Sequence, residues 1–395
     1  MTSTQTATRV VDATADVPET DWDRLNRSGD LFCRHAWLRH LDHATDRPHR
    51  AVLTHDGTTL IGALPFWEGE HDDALFSLPD FFPDIPGHWK QHPFTWLGTR
   101  RSTCNGLLAA RNGHRANTLA HLLTTALDVA TAEGRGGVIM PYLPVTAAKE
   151  LATAHPAARM LLHSADTTVH VPPDGANALF RQARRHNQQR RRAELRDFAR
   201  AGHTLEWTDL TPAVTDAVAP LIAATRRKHG NSNSNGTAWM RRVFAAQRDT
   251  GLLDDAKAVL CLRHGQLAFA TICYRHAATL YARYFGADDT APRTGSPYFV
   301  MNFHALVDYA ANEGLRRVHL SVSSLEAKVR RGARLDPLAA VVVPAHDDID
   351  EHLALAHNHR FAQEILHRFT DYRAAMSDDW LSFLPEFPRT KRTSA

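Results

Sequence analysis

Residues 258–321 read AVLCLRHGQLAFATICYRHAATLYARYFGADDTAPRTGSPYFVMNFHALVDYAANEGLRRVHLS. The apolar periodicity of this stretch predicts three strands, a loop containing Pro and Gly, a helix and a further strand. These elements are, in order, Ala258–Arg263, Leu267–Arg275, Thr279–Gly286, the loop Asp288–Pro297, the helix Tyr298–Gly314 and the strand Val318–Ser321. His264-Gly265-Gln266 fits a hairpin turn between the first two strands. Antiparallel strands followed by a helix and a parallel strand indicate an α/β sheet.

A similar order of elements occurs earlier in the chain. The predicted elements are the strands Arg50–His55, Thr59–Trp67 and Phe94–Leu97, the helix Arg115–Gly134, the strand Val138–Leu143, the helix Val145–His155 and the strand region Met160–Val171. Pro172-Pro173-Asp174-Gly175 then breaks the pattern. We therefore predict two domains, residues 1–171 and residues 172–395, the second with a basic opening helix and a C-terminal helical tail. The weak internal repetition predicts a duplicated fold.

Length and composition limit the class of protein to which this chain can belong. Its 395 residues suffice for two ordinary domains, and 43% apolar with 23% charged residues is a globular composition. The net charge of +3 makes general affinity for DNA unexpected, so any nucleic-acid contact has to come from a local patch. The four cysteines show no CxxC spacing, and the histidines show no metal-ligand spacing, so we predict neither disulfides nor a bound metal. With no secretory signal and no apolar run of spanning length, we expect a cytoplasmic protein.

Four stretches carry a resemblance to a known family. They are Trp22-Asp23 through Trp37-Leu38, the arginine-rich Arg184–Gly202, Tyr281–Pro297 with the helix end Asn312-Glu313-Gly314, and Glu326-Ala327-Lys328-Val329-Arg330-Arg331-Gly332. In this order they resemble the Fem-like branch of the GCN5-related acetyltransferase superfamily. The resemblance implies an α/β (α+β) fold of two tandem GCN5-related acyltransferase domains, whose mixed central sheets are flanked by helices. It also implies acyl transfer as the activity.

The helix expected at residues 181–200 carries a strong positive charge. Its eight arginines face only two acidic residues, Glu194 and Asp197, which leaves a net charge of +6. A transfer-RNA acceptor stem would supply matching phosphates. The predicted tRNA-binding residues are Arg184, Arg185, Arg190, Arg191 and Arg192. The alternative is a solvated helix with pairs such as Arg190–Glu194 at i,i+4.

Acyl transfer from an activated ester needs a held donor, a deprotonated amine and a stabilised oxyanion. The predicted catalytic residues are Lys328, Glu326 and Tyr281. Lys328 would neutralise the terminal phosphate of the donor or stabilise the oxyanion. Glu326 would either accept the amine proton or pair with Lys328 or Arg330. The predicted substrate- or donor-binding residues are Tyr284, Phe285, Arg293, Gly295, Ser296, Ser321, Ser323 and Arg331. We expect Lys328 to be an exposed lysine whose loss costs turnover rather than stability.

The sequence is compatible with two acyl donors and with one non-enzymatic function. The acyl-CoA phosphate loop of the superfamily, Arg/Gln-x-x-Gly-x-Gly/Ala, appears only as Arg293-Thr-Gly-Ser-Pro. This favours an aminoacyl group moved from charged tRNA to an amine of a small molecule or peptide, with no cofactor beyond the aminoacyl-tRNA co-substrate; the composition fits a natural-product pathway. The alternatives are an acyl-CoA-dependent N-acyltransferase and a non-catalytic RNA-binding or scaffold protein.

Overall fold

The computed structural model describes residues 6–27, 29–45, 48–68, 74–76, 78–87, 91–182, 185–228, 236–290, 294–346 and 349–384. The strands are β1 (Thr6–Val11), β2 (Arg50–Asp56), β3 (Thr59–Glu68), β4 (Thr95–Leu97), β5 (Leu108–Ala109), β6 (Gly137–Pro144), β7 (Arg159–His170), β8 (His203–Asp209), β9 (Ala256–Arg263), β10 (Gln266–His276), β11 (Thr279–Ala287), β12 (Arg317–His319) and β13 (Arg334–Pro344).

Helices connect many of these strands along the chain. They are α1 (Glu19–Leu25), α2 (His35–Thr45), α3 (Leu78–Phe81), α4 (Arg115–Ala132), α5 (Val145–Ala152), α6 (Gly175–Gln182), α7 (Arg185–Arg200), α8 (Pro212–Lys228), α9 (Gly236–Asp249), α10 (Pro297–Phe299), α11 (Leu306–Asn312), α12 (Leu325–Val329) and α13 (Glu351–Arg368). A π-helical turn, Val300–Ala305, joins α10 to α11. The fold is a mixed α/β architecture of the predicted kind.

All the strands form one mixed sheet in the order β1-β2-β3-β4-β6-β13-β7-β12-β11-β10-β9-β8, with β5 beside β3. The N-terminal half, β1 to β7, and the C-terminal half, β8 to β13, repeat one arrangement. In each half, antiparallel strands lead to a parallel pair, which is β4 with β6 and β11 with β12. The duplicated fold that the weak internal repetition predicts is therefore present.

The two halves exchange their last strands. β13 lies between β6 and β7 and is antiparallel to both, while β7 also pairs antiparallel with β12. Residues 334–344 form a buried strand in the middle of the sheet, and the helix α13 follows this strand. The sheet is continuous across the Pro172–Gly175 break, and the division of the chain into domains at residue 172 remains a prediction.

Helices cover both faces of the sheet in the C-terminal half. One face packs against α2, α8 and α9, and the other packs against α7 and the helical segment 297–312. A β-bulge at Arg283 interrupts the alternation of β11, because Ile272 pairs with Tyr284 and Cys273 with Ala282. The bulge places neighbouring β11 side chains differently from a regular strand, in which alternate residues share one face.

Candidate functional site

The parallel strands of the C-terminal half separate partway along their length. Their pairing ends at Tyr281 and His319. Beyond that point β11 continues beside β10, whereas the chain after β12 follows β7, with Leu320 N donating to Thr167 O at 2.8 Å. We call the opening between the two diverging strands the C-terminal gap.

The C-terminal gap holds a cavity of about 250 Å³, which we call the Lys328 cavity. Its lining includes six residues that the sequence pointed to: Tyr284, Phe285, Ser321, Ser323, Lys328 and Arg331. The N-terminal half contributes Leu75 and Thr103 to the same lining. The cavity therefore draws its walls from both halves of the chain.

Lys328 lies at the base of this cavity. The short helix α12 carries it, and its ammonium donates hydrogen bonds to Leu320 O and, at 3.1 Å, to Ser321 O. Only 7% of the residue is exposed, so the expectation of an exposed lysine was wrong. Burial lowers the pKa of Lys328 to about 8, although the negative charge of Asp166 opposes that effect. Lys328 is thus a cation below about pH 8 and loses its charge above it.

The backbone that Lys328 contacts is held by side chains of the N-terminal half. Ser321 has a φ of 65°, an uncommon conformation for a residue other than glycine. Its hydroxyl lies 2.7 Å from the Thr103 hydroxyl, and its carbonyl accepts a hydrogen bond from the Thr167 hydroxyl. These contacts hold Ser321, and the hydrogen bond from Leu320 N to Thr167 O holds the residue before it.

A carboxylate and an imidazole lie in contact at the end of β12. Asp166, on β7, has a carboxylate oxygen 2.9 Å from Nε2 of His319, which ends β12. Burial would raise the pKa of Asp166, but His319 and then Lys328 outweigh it, so the pKa falls. Burial would lower the pKa of His319, but Asp166 outweighs it and raises that pKa. The sequence analysis missed both residues, because their proximity depends on a strand pairing between distant segments.

An arginine and aromatic wall closes one side of the cavity. Arg331 pairs with the buried Glu194 of α7, and its guanidinium lies 3.4 Å from the centroid of the Phe299 ring. Burial would raise the pKa of Glu194, but hydrogen bonds from His304 and Arg331 lower it. Arg331 therefore lines the cavity while its guanidinium is held by an internal carboxylate.

Two of the predicted catalytic residues do not line the Lys328 cavity. Tyr281 packs against Phe32 and His319, its hydroxyl donates to Gly29 O at 3.4 Å, and burial raises its pKa. Glu326 pairs with Arg330 one helical turn away, and both side chains are exposed. The structure thus favours the pairing alternative for Glu326 over proton transfer.

The predicted donor loop lies beside a second cavity. This aromatic cavity, of about 430 Å³, shares Phe285, Tyr298, Phe299 and Ala327 with the Lys328 cavity and also includes Ser296 and Lys228. Gly295 does not line it. An added Cβ at Gly295 would lie 2.9 Å from Asp197 O, so this glycine permits close packing against α7. Arg293 lies outside the described residues.

The arginines of the basic helix do not share one environment. Arg184 and the side chain of Arg185 lie outside the described part of the chain. Arg191 turns inward, where it donates to Asn177 and lies 3.5 Å from Asp308, and Arg190 is half-buried. Three further side chains of α7 are exposed: Arg192, Arg196 and Arg200. The exposed positive face is therefore displaced toward the C-terminal end of α7.

Within the described ranges, no cluster of three or more His, Cys, Asp or Glu side chains is arranged to hold a metal ion. None of the helices there has the length and apolar character that a membrane crossing requires.

Two solved structures resemble this fold over most of their length. FemX matches with a TM-score of 0.55 and 12% identity, over 84% of this chain and 96% of that one. The L-PGS of Bacillus licheniformis matches with a TM-score of 0.50 and 11% identity, over 89% and 97%. No curated protein matches the sequence significantly. At these identities the likeness concerns the fold alone.

The sequence itself places the chain more narrowly. Residues 13–378 match the FemAB-like family, which is described as acting in peptidoglycan biosynthesis or recognition. The chain belongs to this family and is a transferase of the acyltransferase class.

Proposed function

We propose that the chain transfers an aminoacyl group from aminoacyl-tRNA to an amine of a small molecule or peptide, with the reacting carbonyl in the Lys328 cavity. The observation that carries this proposal is the buried ammonium of Lys328 at the C-terminal gap. Among the described residues, two of its three N–H groups are used by Leu320 O and Ser321 O, which leaves one for a substrate oxygen.

The chemistry needs a cation where negative charge develops. The acceptor amine attacks the ester carbonyl, a C–N bond forms, and the carbonyl oxygen becomes an oxyanion. When the ester C–O bond breaks, the ribose hydroxyl of the tRNA leaves with the proton that the amine has lost. A fixed N–H donor that faces the oxyanion in a site of low dielectric stabilises this transition state. Lys328 supplies such a donor while its ammonium is protonated.

The exposed arginines of α7 support tRNA as the donor. Arg192, Arg196 and Arg200 present positive charge to solvent, although Arg196 and Arg200 lie within 4 Å of Asp197. Phosphate contacts made by such side chains position a nucleic acid without reading its sequence. No further cofactor is needed, because the aminoacyl ester is already activated. A charged-tRNA donor would place the reaction in the cytoplasm.

An acyl-CoA donor is the second candidate, and the aromatic cavity favours it. This cavity adjoins α10 at Ser296 and has Lys228 in its lining, so it could hold an extended thioester arm beside a phosphate group. The reacting carbonyl would again lie next to Lys328, so both donors depend on the same ammonium.

The test is to incubate the protein with radiolabelled aminoacyl-tRNAs and, in parallel, with labelled acetyl-CoA, each with a mixture of small amines and short peptides. Amine-dependent deacylation of one or more aminoacyl-tRNAs that is lost in Lys328→Ala supports the proposal. Turnover of acetyl-CoA alone would replace it with the second candidate. Binding of tRNA with turnover of neither labelled donor would overturn both candidates.

A further inference from the structure

A second cation lines the Lys328 cavity, at the β-bulge of β11. The pairing of β10 with β11 skips Arg283, which is therefore the extra residue of the bulge. A bulge can aim a side chain where a regular strand would not place it. Arg283 is half-buried and belongs to the lining of the cavity. The sequence analysis did not point to this residue, because a bulge depends on how two strands pair.

The guanidinium of Arg283 is held by aromatic rings and by one backbone carbonyl. It lies 5.2 Å from the ring centroid of Tyr284, 5.5 Å from that of Phe32 and 5.9 Å from that of Trp37. One of its N–H groups donates to Arg101 O at 2.8 Å. The side chain is thus ordered in the absence of a ligand, so little conformational entropy remains to be lost when a ligand binds.

The charge of Arg283 has no counter-charge in the described part of the chain. No carboxylate there lies within ion-pair distance of its guanidinium, and its buried Nε has no hydrogen-bond partner. Arg331, in the same cavity, differs because Glu194 pairs with it. The described lining residues include these two arginines and Lys328 but no acidic side chain. Since a cation withdrawn from water without a counter-charge is costly, the cavity suits an anion that a ligand supplies.

The oxyanion does not supply this counter-charge. It exists only during the reaction and is proposed to bind Lys328, whereas Arg283 is charged throughout. The acceptor is the more suitable source of a permanent anion, because of where Arg283 lies. The three rings beside its guanidinium belong to the core that packs against α2, α8 and α9, and α7 covers the other face of the sheet. Arg283 therefore lies on the face opposite to the helix proposed to contact tRNA.

We propose that Arg283 binds a carboxylate of the acceptor, and that the acceptor is consequently an amino acid or a short peptide with a free carboxyl end. A planar guanidinium matches a carboxylate with two parallel hydrogen bonds. In a cavity of about 250 Å³, the amine and the carboxylate belong to one small molecule or to one end of a peptide. The inference rests on the proposed function, because it assigns this cavity to the acceptor.

The test compares acceptors with and without the carboxylate, and it needs no acyl donor. Isothermal titration calorimetry measures the binding of the common amino acids, glycylglycine and alanylalanine, each as the free acid and as the carboxamide. At least one acid should bind about 10- to 100-fold more tightly than its amide, as expected for a charge-assisted hydrogen bond. Arg283→Gln should remove this preference and leave binding of the amide unchanged. A role in packing alone would not distinguish an acid from its amide.

Two further variants sharpen the comparison. Arg275→Gln is the matched control, because Arg275 is a half-buried arginine of the neighbouring strand β10 that pairs with Glu313 and does not line the cavity. It should keep the full preference for the acid. Arg283→Lys should keep only part of it, because an ammonium retains the charge but cannot form the paired hydrogen bonds.

Binding of no acid in preference to its amide by the wild-type protein would overturn the inference, and this comparison requires no variant to fold. A preference that persists in Arg283→Gln would have the same consequence. AMP carries the phosphate of the donor's terminal nucleotide and is titrated in parallel. If Arg283→Gln weakened AMP binding and left the acid preference intact, Arg283 would serve the donor and the inference would be wrong.

The two proposals can fail separately. Failure of the donor assay would count against the proposed function and leave the binding result standing. Loss of the acid preference would remove the carboxylate from the description of the acceptor and leave acyl transfer to an amine untouched.

Discussion

The two halves of the sheet contain the same gap, and among the described residues a side chain spans one gap while the other borders a cavity. In the N-terminal half the parallel pairing of β4 with β6 ends at Trp96 and Ile139. There the side chain of Asn105 spans the gap, accepting from Thr99 N at 3.0 Å and donating to Pro141 O at 2.9 Å. In the C-terminal half, Lys328 caps the carbonyls on the β12 side alone, and a cavity remains beside β11.

Aromatic side chains fill the space around the N-terminal gap. Phe76 and Phe81 pack against Trp96 and Tyr142, with ring centroids 5.5–6.1 Å apart, and the Tyr142 hydroxyl donates to Leu75 O at 2.6 Å. The duplicated arrangement thus has one gap surrounded by packed aromatic side chains and one gap that borders a cavity. The difference comes from which side chains the neighbouring loops insert.

The largest expected effect is a loss of stability caused by a substitution at the N-terminal gap. Trp96→Ala should reduce the free energy of unfolding by about 3–5 kcal/mol, because it leaves a cavity in a packed aromatic cluster. Turnover per folded molecule should stay unchanged, since Trp96 does not line the Lys328 cavity. Chemical denaturation and a donor assay on the same sample measure both quantities, with Trp96→Phe as the milder control. Turnover lost without loss of stability would mean that the N-terminal gap is also a site.

At the C-terminal gap, a substitution should reduce turnover rather than stability. Lys328→Ala should reduce turnover 10²- to 10³-fold, about 2.7–4 kcal/mol of transition-state stabilisation. Lys328→Arg should rescue it only in part, because a planar guanidinium places its charge differently. Lys257→Ala is the control, since that lysine pairs with Asp209 at the edge of the sheet. Full turnover in Lys328→Ala would remove Lys328 from the mechanism.

Burial of the Lys328 ammonium has a cost to stability that can be measured. Its pKa is lowered from 10.5 to about 8, so the folded state disfavours the proton, and stability is regained as the pH rises from about 8 toward 10.5. Lys328→Met, of similar shape, should therefore denature at a higher temperature than the parent protein at neutral pH. Wild-type turnover should also decline above about pH 8, as the ammonium is lost. A lower denaturation temperature for the Met variant would contradict this account of the buried charge.

The smallest expected effect concerns the exposed face of α7. Changing Arg192, Arg196 and Arg200 to Gln should flatten the salt dependence of tRNA binding by roughly 0.7–0.9 in logarithmic slope per lost phosphate contact. Arg191→Gln is the contrasting variant, because Arg191 contacts Asn177 and Asp308 and its loss should reduce stability. Binding at several salt concentrations measures the slope. A slope unaffected by the triple change would leave this face as a solvated surface.

The elements of the C-terminal half that depend on local sequence pattern could be predicted from the sequence. The hairpin at His264 and Gly265, where φ is 50° and 79°, and the strand, helix and strand that follow it need only neighbouring residues. The prediction of a role for Lys328 rests on a short, contiguous motif, Glu326 to Gly332. For Glu326 the sequence left two interpretations open, proton transfer and pairing with a neighbouring cation. The structure shows Glu326 paired with Arg330.

The parts that depend on distant pairing were not predicted. β1 lies at the sheet edge and is mostly exposed or half-buried, so it has little apolar pattern. β13 pairs with strands more than 160 residues earlier, for example Arg334 with Thr168. Asp166 acquires its neighbours only through this exchange of strands. The burial of Lys328 was missed for a related reason, because the carbonyls that hold it belong to a strand end whose position is fixed by β7.

The most direct test of the central claim is a crystal structure with a hydrolysis-resistant donor mimic, a 3′-aminoacylamino-3′-deoxyadenosine. The account predicts that the mimic occupies the C-terminal gap, with its carbonyl oxygen within hydrogen-bond distance, about 3 Å, of the Lys328 ammonium. It also predicts that Asn105 still bridges the N-terminal gap. A mimic seated between β4 and β6, or bound with its carbonyl away from Lys328, would contradict the account.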